Sequence, residues 1–116
     1  MVSKRRHKRI LVVLPVRVIG QDISGKSFTE LAHTLDITCA GARLGAIHHH
    51  VKPGDAIKVQ YRQRSIQFRI VWIQLLEGSS TEYQIGLEAV TPVMDAWGLE
   101  SREKNLPDDY MTPSTS

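Results

Sequence analysis

Ile66-Gln67-Phe68-Arg69-Ile70-Val71-Trp72 is the stretch on which the fold turns. Ile66, Phe68, Ile70 and Trp72 share one parity; Gln67, Arg69 and Val71 take the other. A period of two is the repeat of a β-strand, whose successive side chains point to opposite faces. The first set is apolar and aromatic, so the segment reads as a strand with Phe68, Ile70 and Trp72 in the core.

The same reading extends in both directions. Downstream, Gly78-Ser79-Ser80 turns the chain, and Tyr83, Ile85, Leu87 and Ala89 then alternate with Glu82, Gln84, Gly86 and Glu88. Upstream, Ala56 to Tyr61 is a strand entered from the Pro53-Gly54-Asp55 turn and left by a hairpin turn near Gln63. Ala42 to Ile47 is a short strand, followed by a loop from His48 to Asp55. Ser27 to Ile37 is a strand whose buried face holds Leu31, Leu35 and Ile37, interrupted by His33. Thr38 to Gly41 turns after it. Ile10 to Ile19 is a β-branched apolar strand that Pro15 places at an edge or a bulge, and polar Gly20 to Lys26 follows as a turn. Six short strands with no sustained apolar repeat at helical spacing define an all-β chain. Closure into a six-stranded antiparallel barrel is the arrangement that removes exposed edges.

The expected organisation is a flexible basic tail at residues 1–9, one barrel domain at 10–92 and a C-terminal extension at 93–116. In the extension, Met94 to Glu100 is expected to form a helical turn or two, with Trp97 packing back on the barrel. From Leu106 onward Pro, Ser, Thr and Asp dominate, which predicts disorder.

The 116 residues suit one small domain, with little room for a buried catalytic machine. Charge is unevenly placed. Lys4, Arg5, Arg6, Lys8 and Arg9 supply five of the 15 Lys and Arg; the other ten are outnumbered by 12 Asp and Glu, so residues 10–116 carry −2. A basic tail on a near-neutral body points to a local anion site rather than to general nucleic-acid binding. Cys39 is the single cysteine, which rules out a disulfide framework within one chain. The basic start lacks the apolar region of a secretory signal, and no stretch is long and apolar enough to span a bilayer. A cytoplasmic protein with no membrane span is the expectation.

Two motifs carry chemistry. The tail spaces its arginines as Arg5-x-x-x-Arg9, and the end of the second strand reads Asp36-Ile37-Thr38-Cys39-Ala40-Gly41. Taken singly, the first is a solvated or weakly nucleic-acid-binding arm and the second an Asx-type turn. Together and in this order they resemble the signature of the PilZ domain family, a bacterial receptor module for the second messenger cyclic di-GMP. Ile85-Gly86-Leu87-Glu88 is similar to the end of a late PilZ strand, so the resemblance covers about residues 4 to 90. It implies a six-stranded barrel and a ligand site at Arg5, Arg9, Asp36, Thr38 and Gly41, with Lys4 and Arg6 as neighbouring candidates. Thr38 stands where the family usually has serine; it keeps the hydroxyl and adds a methyl group.

These residue types suit a guanine dinucleotide. An arginine fork donates to O6 and N7 of guanine together and stacks on the purine face. A carboxylate such as Asp36 accepts from the N1–H and N2 amine of the other edge. A hydroxyl such as Thr38 bridges to phosphate or base, and Gly41 admits a close backbone approach or a left-handed turn.

The expected function is a cyclic di-GMP receptor or adaptor that signals by ordering its arginine tail over the ligand, read by an unidentified downstream protein. The alternatives are an interaction module of the same fold without ligand affinity, or a small-barrel binder of RNA or single-stranded DNA. The seven Phe, Trp and Tyr residues and the acidic body weigh against the nucleic-acid binder. No nucleophile, base and orienting group occur together, so an enzyme is not expected. No cofactor is expected either. His48-His49-His50 reads as a solvated loop rather than a metal site, because neighbouring strand positions point apart.

Overall fold

Six strands close into an antiparallel barrel in the order β1-β2-β3-β6-β5-β4. The structure is a computed structural model and describes residues 9–90 and Trp97. The strands are β1 Pro15–Gln21, β2 Ser27–Thr38, β3 Gly41–Ile47, β4 Ala56–Tyr61, β5 Arg64–Leu75 and β6 Tyr83–Ala89. β1 closes the barrel by pairing with both β2 and β4, so every strand is paired on both sides. Inward positions of all six strands form one core, centred on Val18, Ile37, Leu44, Val59, Phe68 and Ile85.

The β1–β2 turn is set by Asp22, whose Oδ1 accepts from the Ser24 hydroxyl at 2.6 Å, the Ser24 N–H at 2.9 Å and the Lys26 N–H at 3.0 Å. These bonds, led by the Ser24 hydroxyl, hold the Asp22 carboxyl below its ordinary 3.8. Glu30 of β2 joins the loop after β3. Its carboxylate takes the His48 N–H at 2.7 Å and faces the His48 and His49 Nδ1 atoms at 2.9 and 2.7 Å. His49 also stacks on Phe28, so this histidine run is tied to the barrel rather than solvated throughout.

Register shifts decide which side chains face outward. β2 carries one extra residue between Thr34 and Asp36, β3 one between Leu44 and Ile47, and β5 one between Ile70 and Trp72. Each such bulge reverses the inward–outward parity beyond it. This overturns three details of the sequence reading. On β2 the buried face is Phe28, Ala32 and Thr34, with Leu31 exposed; Ile37 turns inward only because the bulge at Leu35 intervenes. On β5 the bulge moves the inward position after Ile70 from Trp72 to Ile73, which pairs with buried Ile85 and packs on the core, and Trp72 faces out. The first strand begins at Pro15 rather than Ile10. Residues 10–14 still follow β2, with Ile10 and Ile37 exchanging N–H···O bonds of 2.8 and 2.9 Å, but the bulge and the missing Pro15 N–H break the regular ladder.

Trp97 packs back on the barrel as expected. It is buried, stacks on Phe68 at 5.8 Å and tilts against Tyr61 at 5.9 Å. The rest of the expected helical turn and the C-terminal tail lie outside the described residues.

Candidate functional site

Two transverse rows of side chains cross the outer face of four strands. In one, Trp72 of β5 pairs with Gly86 of β6, Gly86 with Arg43 of β3, and Arg43 with Asp36 of β2. In the next, Arg69 pairs with Glu88, Glu88 with Gly41, and Gly41 with Thr38. The β2 and β5 bulges bring Asp36 and Trp72 onto this face. All of these residues but Arg69 line a cleft of about 390 Å³, within the ordinary size range of small-ligand sites.

Asp36 lies at the floor, 3% exposed. Arg43 donates to its Oδ2 from Nε at 2.7 Å, and Nη2 is also 2.7 Å from that oxygen. Arg9 brings a second guanidinium, with Nε 3.9 Å from Oδ1. One buried carboxylate between two arginines leaves a local positive excess around Asp36, while Glu88, also in the cleft wall, is met by Arg69 at 3.4 Å; the Arg9 side chain is largely exposed. The carboxylate thus pre-positions cations at the mouth of a cleft, an arrangement suited to an anionic ligand with paired acceptors.

Thr38 accepts the Ala40 N–H at 3.2 Å, so its hydroxyl helps to shape the Cys39-Ala40 turn. Gly41 follows as the first residue of β3. A Cβ at Gly41 would collide with the Leu87 carbonyl oxygen, so its glycine is required by the β6 backbone and not by a left-handed turn. The Trp97 Nε1–H donates to the Gly41 carbonyl at 3.0 Å and anchors this corner from beneath.

Trp72, expected in the core, instead lies across Gly86 on the outer face. A Cβ at Gly86 would overlap the Trp72 indole at Nε1 and Cε2, so the glycine makes the seat for the ring. Sequence reasoning missed Trp72, Gly86 and Arg43 as cleft residues. The signal for Arg43 and Gly86 was their outward parity on strands that cross the motif; the Trp72 position depends on a bulge that alternation does not reveal.

Of the residues expected at the site, Arg9, Asp36, Thr38 and Gly41 all line this one cleft. Arg5, Lys4 and Arg6 lie outside the described residues. Among the described residues no three His, Cys, Asp or Glu side chains are placed to hold a metal ion, and no helix is long and apolar enough to cross a membrane. Comparison with protein-family models and with curated proteins finds no match to this chain.

Proposed function

We propose that this chain is a PilZ-like receptor for cyclic di-GMP that works by binding rather than turnover. One observation carries the reading: Arg9, Asp36, Thr38 and Gly41, drawn from two motifs distant in sequence, line a single cleft. In this reading Arg5 and Arg9 grip guanine and phosphate, while Asp36 and Thr38 meet the opposite edge. Arg43 adds a second fixed cation, and Trp72 offers the cleft an aromatic surface for a base. A hydrogen bond with one charged partner contributes roughly 1.5–3 kcal/mol, so a few of them plus stacking support about micromolar affinity after the basic tail is ordered over the ligand. The altered surface beside the barrel is then read by a downstream protein.

Calorimetric titration with cyclic di-GMP, with cyclic di-AMP and GTP as controls, tests the proposal. Arg9→Ala and Arg5→Ala are each expected to weaken binding at least tenfold. Affinity unchanged in both variants rejects the assignment.

One observation favours a second reading, an interaction module of the same fold without ligand affinity. Arg43 already engages Asp36 with Nε and Nη2, so a guanine must share or displace that partner. Under that reading, saturating cyclic di-GMP leaves the amide resonances of Asp36 to Gly41 unmoved.

A further inference from the structure

The segment that follows Arg9, together with β1 and β2, also presents an outer surface that the cleft does not include. Exposure alternates along residues 10–14: Leu11 is 77% exposed and Val13 69%, while Leu14 is buried. Pro15 pairs with His33 and Arg17 with Leu31, so Leu31, 71% exposed, stands beside Pro15 and Arg17 on the same outer face. Leu35 continues this face toward Asp36 and lies over Gly45. Leu11, Val13, Pro15, Leu31 and Leu35 therefore share one outer face, an apolar strip interrupted by half-buried His33 between Leu31 and Leu35 and bounded by Arg9 and Asp36 at one end.

At the other end is a groove of about 330 Å³ lined by Pro15, Leu31, Arg17, Gln60 and Arg62, with no acidic residue in its wall. Among the described residues neither Arg17 nor Arg62 has an ion-pair partner, and Arg62 rests over the Tyr61 ring. Exposed apolar side chains scattered singly need no explanation, but a strip broken only by His33 and rimmed by two cations without an ion-pair partner among the described residues does.

We propose that this strip docks an extended acidic and apolar segment of a partner protein. Apolar side chains of the segment cover Leu31, Pro15 and Val13, and its carboxylates pair with Arg17 and Arg62. The same face of a second copy fits less well, because its groove brings two more arginines and no carboxylate to pair with them. Leu11 and Val13 of the strip lie on the segment that delivers Arg9 to the cleft, so a nucleotide that draws on Arg9 shifts them. That coupling rests on the cyclic di-GMP reading; the docking surface rests on register and charge alone.

The test titrates the isotope-labelled full chain with an eight-residue peptide alternating leucine with glutamate, and with its counterpart carrying lysine for glutamate. The glutamate peptide is expected to shift the amide resonances of Leu11, Arg17 and Leu31, and the lysine peptide to leave them in place. Arg17→Glu combined with Arg62→Glu is expected to weaken the glutamate peptide at least tenfold. Equal binding of both peptides, binding of neither, or indifference to the double charge reversal overturns the proposal. So does a concentration-dependent dimer in sedimentation that Leu31→Lys abolishes, which assigns the strip to a second copy. Repeating the titration with saturating cyclic di-GMP separates the two claims. A calorimetric heat for the nucleotide with unchanged peptide affinity refutes the coupling, whereas no nucleotide heat with peptide binding intact refutes the receptor reading.

Discussion

Thr34 and Asp36 are both buried polar residues of β2, yet they serve opposite sides of the barrel wall. Thr34 faces inward, where its hydroxyl donates to the Val12 carbonyl and accepts the Leu14 N–H at 2.8 Å. It therefore supplies partners that a regular ladder would have given residues 12–14. Asp36, past the bulge, faces outward and meets Arg43 and Arg9. The threonine fixes the course of the chain that delivers Arg9, and the aspartate receives it. Thr34→Val keeps the shape but leaves a buried N–H and a carbonyl without partners. It is expected to cost about 1–3 kcal/mol and to speed hydrogen exchange at Ile10 and Leu14. Thr34→Ser, which keeps the hydroxyl, is expected to restore most of the loss. A Thr34→Val protein with wild-type stability in urea removes this role.

At the scale of elements, the unshifted ladders and the shifted ones divide the barrel. β1–β2, β1–β4 and β4–β5 pair without interruption, whereas all three bulges fall on strands that line the cleft. Gly86 shows what the β5 bulge achieves, because Trp72 occupies the space where a side chain would stand. Gly86→Ala forces the indole outward and is expected to destabilise by about 1–3 kcal/mol, as overpacking does. In a Trp97→Phe background the emission from Trp72 is expected to shift to the red; an unmoved spectrum contradicts the seating. Six strands and their connections were legible in the sequence because period two and turn residues are local signals. The strand ends at Tyr61, Ile47 and Ala89 were read as the structure has them. The inward face of β2 and the position of Trp72 were not legible. Both depend on a single extra residue, which is defined only against a partner strand distant in sequence. The cleft was half legible for the same reason: its motif residues announce themselves, while Arg43, Trp72 and Gly86 join through cross-strand register.

For the whole molecule, closure rests on contacts between distant parts of the chain. β1 meets β4 through Arg17 and Gln60, and Trp97 seals the core from beyond the last strand. The indole does two things at once: it stacks on Phe68 and tilts against Tyr61, and it donates to the carbonyl of Gly41 at the corner of the cleft. Stability and site geometry are therefore linked through one residue outside the barrel strands. Trp97→Ala removes a fully buried aromatic and is expected to cost about 3–5 kcal/mol, a large part of what a domain of this size possesses. Trp97→Phe keeps an aromatic ring but loses the hydrogen bond, so it is expected to cost less and to leave the Gly41 carbonyl without that donor. Urea midpoints of the two variants separate packing from hydrogen bonding. If Trp97→Ala unfolds at the wild-type midpoint, the residue does not close the core, and the corner at Gly41 must be held by β3 and β6 alone.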